Sequence, residues 1–175
     1  FHFTADCWYP RVAGFLPATE IPGRIVMAIQ DEAALILQLY DLRREETMRT
    51  ARDWYAREFN PESMADLEKE LAGEHSGHLR MVTSYWEMAA ALVNNGAINL
   101  QLFNDTNGEQ YLVFGKIQPF LNEIRSAYGP YLIQLEKLID ATPGGRERVA
   151  GVRERMKAMR ARFAAAQSRP AGQEK

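Results

Sequence analysis

The chain reads as an all-α, single-domain helical bundle of about six or seven helices, and three features predict this. Leu79–Phe103 places apolar residues at Leu79, Val82, Tyr85/Trp86, Ala89 and Leu92/Val93, the three-and-four spacing of one broad helical face. Similar periods recur before and after that stretch, separated by Gly, Pro and Asn. With 175 residues, 46% apolar and 25% charged, the chain is long enough for one self-sufficient core.

Residues 1–26 stand apart, with Pro10, Pro17 and Pro22, three aromatics in the first eight positions and no helical period. They are expected to be either an extension upstream of a natural start at Met27 or an N-terminal arm packing its aromatics on the body. Residues 27–142 form the helical core domain. The first helix runs from Ala28 to about Arg43 with Ile29, Ala33, Ile36/Leu37 and Tyr40 on one face. The second, about Glu45–Phe59, carries Met48, Ala51/Arg52, Tyr55 and Phe59. Asn60-Pro61-Glu62 opens the third, about Pro61–Leu71: Asn caps, Pro fits the first turn and Glu suits the positive helix end. That helix is acidic (Glu62, Asp66, Glu68, Glu70) around a thin stripe of Met64, Leu67 and Leu71.

Gly73 and Gly77 bracket a loop before the central helix, Leu79–Asn94, which Asn94-Asn95-Gly96 stops because Asn and Gly tolerate the left-handed conformation. A short turn or helix at Asn99–Asn104 follows. Thr106 and Glu109 have capping-box spacing and open a helix to about Ala127, lined by Tyr111, Phe114, Ile117, Leu121, Ile124 and Tyr128. Pro119 should kink it, since the carbonyl of Gly115 loses its partner. Gly129-Pro130 breaks the chain before a short helix at Tyr131–Ile139, and Pro143-Gly144-Gly145 is a hinge. A basic amphipathic helix covers 146–167, and 168–175 is a Pro/Gly/Gln tail expected to be disordered.

The final helix has the sharpest pattern. Val149, Val152, Met156, Met159 and Phe163 are spaced 3, 4, 3 and 4, the a and d positions of a heptad. Arg146, Arg153 and Arg160 then fall at e, and Arg148, Arg155 and Arg162 at g. A parallel homodimer would set like charges against each other, so the helix should seek an acidic surface. Residues 1–145 supply one, with 12 Lys and Arg against 20 Asp and Glu, whereas 146–175 carry 9 against 3. The leading expectation is a latch: the helix lies on the body and its arginines pair rim carboxylates, notably those of the third helix. The alternatives are docking to another acidic protein and contact with phosphate in nucleic acid or an anionic membrane.

Few residues suggest chemistry. Glu74, His75 and His78 form the one metal-like cluster, but Gly73 and Gly77 argue for a polar loop, and neither HExxH nor the Glu-x-x-His of di-iron bundles occurs. Asp105–Gly108 fails as a calcium loop, because Phe103 and Phe114 would fall on ligand positions. Glu87 is expected to face solvent or to pair with Arg80 or Arg125. GxSxG, P-loop, GxGxxG and Cys/His nucleophile patterns are missing, so no cofactor and no catalytic residue are expected. The single Cys7 precludes an intrachain disulfide, no apolar run reaches the ~18–20 residues of a membrane span, and the N-terminus lacks the order of a signal peptide. A cytoplasmic location is the resulting expectation.

The segments LYDLRREETMRTARDWYAREF, SYWEMAAALVNNGAINLQLF and FLNEIRSAYG resemble a group of small bacterial helical proteins of unknown function. The likeness covers about Ala28–Ile139: an Arg-rich helix pair, an aromatic–acidic helix with a Gly-terminated turn, and a helix closing on an arginine. It implies a helical fold and no activity. The expected function is a non-enzymatic cytoplasmic module acting through protein contacts or self-association. Nucleic-acid binding by the arginines comes second, and a metal-dependent enzyme at Glu74, His75 and His78 third.

Overall fold

The computed structural model describes residues 29–167, with side chains through Arg162. The expectations for 1–26, for Phe163 and for the tail 168–175 lie outside that description. Among the described residues there are nine α-helices, one 3-10 turn and no strand, confirming the all-α bundle. The count exceeds six or seven because a short helix forms at Leu100–Thr106 and the helix containing Pro119 is split. Among these residues no helix is long and apolar enough to cross a membrane.

The central helix, α4 (Ser76–Asn94), buries Leu79, Val82, Tyr85, Trp86, Ala89 and Val93, the face its period predicts. Its end is a Schellman turn: Gly96, at φ 78°, donates to Val93 and Ala97 donates to Leu92. Two helices flank it, α2 (Glu46–Arg57) and α8 (Ile133–Ala141), while α6 (Glu109–Ile117) lies behind and touches both α4 and α8. Two tyrosine hydroxyls tie layers together: Tyr55 donates to the Val113 carbonyl at 2.9 Å and Tyr85 to that of Leu39 at 2.8 Å. Burial of such aromatic bodies supplies area, and the hydroxyl needs a partner once desolvated.

Three local expectations are corrected. Helix α1 (Ile29–Arg44) turns Leu35, Ile36 and Leu39 inward, leaving Ile29, Ala33, Leu37 and Tyr40 exposed. Its inward stripe begins at Glu32, which accepts from the Asn99 N–H, and ends at Arg43, so charged residues disguise its phase. Helix α3 (Met64–Ala72) starts at Ser63, not Asn60, with a full Ser63/Asp66 capping box. Asn60 instead donates to the carbonyls of Arg57 and Glu58 at the end of α2. Thr106 and Glu109 form no capping box. Thr106 bonds back to Leu102 and Phe103, closing α5 (Leu100–Thr106), and the cap residue of α6 is Gly108.

The chain turns at Pro119 through a 3-10 turn, Gln118–Phe120, before α7 (Leu121–Tyr128). Between α7 and α8, Leu132 sits buried at φ 50°, a conformation a side chain adopts only under constraint. Glu87 and Arg125 supply the constraint. Glu87 accepts the N–H groups of Gln134 and Leu135, both at 2.8 Å, and so caps α8 from α4 rather than facing solvent or an arginine. Arg125 donates to the carbonyls of Tyr131 and Leu132.

Candidate functional site

The last helix, α9 (Gly145–Gln167), is built from good helix formers and lies on α6 and α8. Its entry is a close-packed turn. Gly145 donates to Thr142 at 2.9 Å, and a Cβ there would stand 2.1 Å from the Ile139 carbonyl oxygen, so only glycine fits. Packing onto α6 needs a second gap: a Cβ on Gly115 would meet Arg153 Cγ at 3.3 Å and Val149 Cγ1 at 3.5 Å. The apolar seam enters the core and then leaves it. Val149 is 1% exposed, Val152 packs on the core, Met156 is half-buried and Met159 is 55% exposed.

The six arginines divide by heptad position. Those at e face the body. Arg146 donates to Asp140 at 2.5 and 2.9 Å and to Glu136 at 3.0 Å, with its guanidinium 5.3 Å from the Phe114 ring centre. Glu136 also accepts from Arg125 at 2.7 Å. Burial works against its carboxylate, but the bonds and charges of Arg125 and Arg146 outweigh it and hold the pKa below the ordinary range. The Asp140 bond raises Arg146, against partial burial, with Glu136 adding to it. Arg153 is half-buried beside α6 without an ion-pair partner among the described residues. Arg160 stands 3.5 Å from Glu62, ahead of α3, and its Nε is buried with no hydrogen-bond partner among the described residues.

Those at g face outward. Arg148 is exposed but donates to the Tyr111 hydroxyl at 3.1 Å, which in turn donates to Asn104. Arg155 and Arg162 are exposed and make no side-chain hydrogen bond or ion pair among the described residues. Of the four carboxylates read onto the third helix, Glu62 alone pairs with α9 among the described residues, and it lies ahead of α3 rather than on it. Asp66 serves its own cap and Glu68 accepts from Tyr128 at 3.3 Å. The body-side contacts therefore come from α8 and from the loop before α3.

Glu74, His75 and His78 do not converge. Among the described residues no group of three His, Cys, Asp or Glu is placed to hold a metal ion. Helix α4 begins at Ser76 and so includes His78, while His75 stacks on Trp54 at 4.9 Å and Glu74 is exposed. The two imidazoles, 5.5 Å apart, serve as ring surfaces against α2.

Two polar clusters escaped the sequence reading. Glu109 accepts from Arg43 at 2.8 Å and from Arg52 at 2.5 to 3.0 Å, bringing α1 and α2 to the start of α6. Arg43 also lies 5.2 Å from the Trp86 ring centre. Lys116, buried on α6, donates to the carbonyls of Tyr55, Ala56 and Phe59 at 2.6, 3.0 and 2.7 Å. It thus closes the C-terminal end of α2, where the orphan carbonyls point. Burial, with the charge of Arg160, pushes its pKa down to about 8. The one available signal was a lysine inside the apolar run Tyr111–Ile117.

No curated protein matches the chain, and no solved structure does. A family match spans more than half of the chain, from before α1 to the end of α8, with α9 beyond it. Residues 28–142 fit the family described as Domain of unknown function (DUF4760), and the chain belongs to that family.

Proposed function

We propose that the protein is a non-enzymatic bacterial cytoplasmic module that engages an acidic protein partner along the outer edge of α9. The supporting observation is the division of the arginines. Arg146 is consumed by Glu136 and Asp140, whereas Arg155 and Arg162 project outward beside the exposed Met159. Arg148 extends that line towards the start of the helix, held by Tyr111. Two guanidiniums around one apolar anchor suit a partner segment carrying carboxylates about a large apolar residue, because Arg binds carboxylate in a planar fork. Such contacts steer association and weaken with salt.

A photo-reactive side chain at position 159, in otherwise wild-type protein in cells, tests this. Cross-linking to a discrete protein, lost in R155E/R162E and retained in D41N (an exposed control on α1), is the expected outcome. Capture of nucleic acid instead would give the arginines to phosphate. No cross-link, or one indifferent to the charge reversal, would contradict the reading.

A further inference from the structure

On its inner edge, α9 forms with the α2–α3 loop and the α6 end a cleft of about 290 Å³. Its charge is one-sided. Lys116, Arg153, Lys157 and Arg160 line it, and Glu62 is its one carboxylate. Arg153, Lys157 and Arg160 lie at i, i+4 and i+7, so a single face of α9 aims three cationic side chains at one space. Pro61, Pro119 and Met156 give it an apolar wall.

These cations are poorly compensated. Arg153 has no ion-pair partner among the described residues, and Arg160 has only Glu62, at 3.5 Å, whose side chain is 82% exposed. The Arg160 Nε is buried and unpaired among the same residues, a state that polar groups in folded proteins rarely keep. Lys157 reaches Glu154 at 3.1 Å, but that pair is exposed and cheap to exchange. Lys116 forms the floor. Its three N–H groups already serve three carbonyls, so it contributes positive potential and no direct contact.

We propose that this cleft binds a dianionic phosphate group, either as free phosphate or as the phosphoryl group of a small phosphomonoester. Two guanidiniums and an ammonium offer the fork and point-charge donors that phosphate oxygens accept. A dianion suits four cations facing one carboxylate better than a single carboxylate would. It also gives Arg160 Nε an acceptor, and the apolar wall leaves room for the organic part of an ester. The proposal does not depend on the outer arginines, since it uses the opposite edge of α9.

The test is calorimetric titration of the full chain with inorganic phosphate, phenyl phosphate and acetate at constant low ionic strength. Binding of phosphate and phenyl phosphate, with acetate weaker by at least about tenfold, is expected. R153Q/R160Q should lose at least about tenfold in affinity, while R155Q/R162Q, with the same charge change on the same helix, stays within about twofold. E62Q should bind more tightly, because it removes the competing carboxylate, and it decides the matter if R153Q/R160Q does not fold. Tighter binding of phenyl phosphate assigns the site to an ester, and equal binding assigns it to free phosphate. Absence of binding to both at about 10 mM would overturn the proposal, as would equal losses in the two double variants.

Discussion

Lys116 concentrates the physics of this fold in one residue. Its ammonium is buried against the negative end of α2 and faces the charge of Arg160, with no carboxylate bonded to it. Its folded pKa of about 8 lies below the ordinary 10.5, so between those values the unfolded chain keeps a proton that the native chain has shed. Stability should therefore rise with pH through that window, by at most about 1.4 kcal/mol per pH unit. Above about pH 10 the trend should reverse. Tyr55, Tyr85 and Tyr131, all raised by burial, then favour the unfolded state, where they ionise first. Urea unfolding at intervals from about pH 7.5 to 9.5 reads the effect. Lys116→Met should flatten the rise, and an unchanged slope in that variant would assign the titration elsewhere.

At the scale of elements, the turn into α9 decides whether the helix is seated or loose. Gly145→Ala forces a Cβ against the Ile139 carbonyl, a backbone atom that cannot swing aside. It should destabilise the protein by about 2–3 kcal/mol, the range of a severe steric or backbone defect. Urea midpoints would show it, and a change under about 0.5 kcal/mol would mean that the turn yields easily. The same scale shows what was legible in the residues. Helices α2 and α4 were readable because most of their large apolar residues face the core, Met88 being the exposed exception. Helix α1 was misphased because its inward stripe includes Glu32 and Arg43, whose partners Asn99 and Glu109 lie 67 and 66 residues away. Neither the start of α3 nor that of α6 was read correctly. Asn60 was expected to cap α3, where Ser63 and Asp66 form the box, and Glu109, expected to pair with Thr106, belongs to two arginines from other helices.

For the whole molecule, the body and the basic helix share a charge boundary whose two edges differ. The heptad pattern indicated the seam and its six arginines, but it could not say which edge would face carboxylates. That depends on where α8 and the α2–α3 loop fall around α9, a matter of tertiary packing. The candidate site was thus visible as a pattern of residues, and its cleft was not. Lys116 comes from α6, Arg153 and Arg160 from α9, and Glu62 from the loop before α3. The edge assignment also separates the two functional readings, since acidic protein and phosphate would meet opposite sides of one helix.

Arginine-directed dicarbonyl labelling of the native chain, followed by mass spectrometry, measures that division directly. Arg155 and Arg162 should react first, Arg153 and Arg160 more slowly, and Arg146 last. Arg146 reacting as fast as Arg155 would show that α9 does not rest on α6 and α8, and the assignment of its two edges would fall with it.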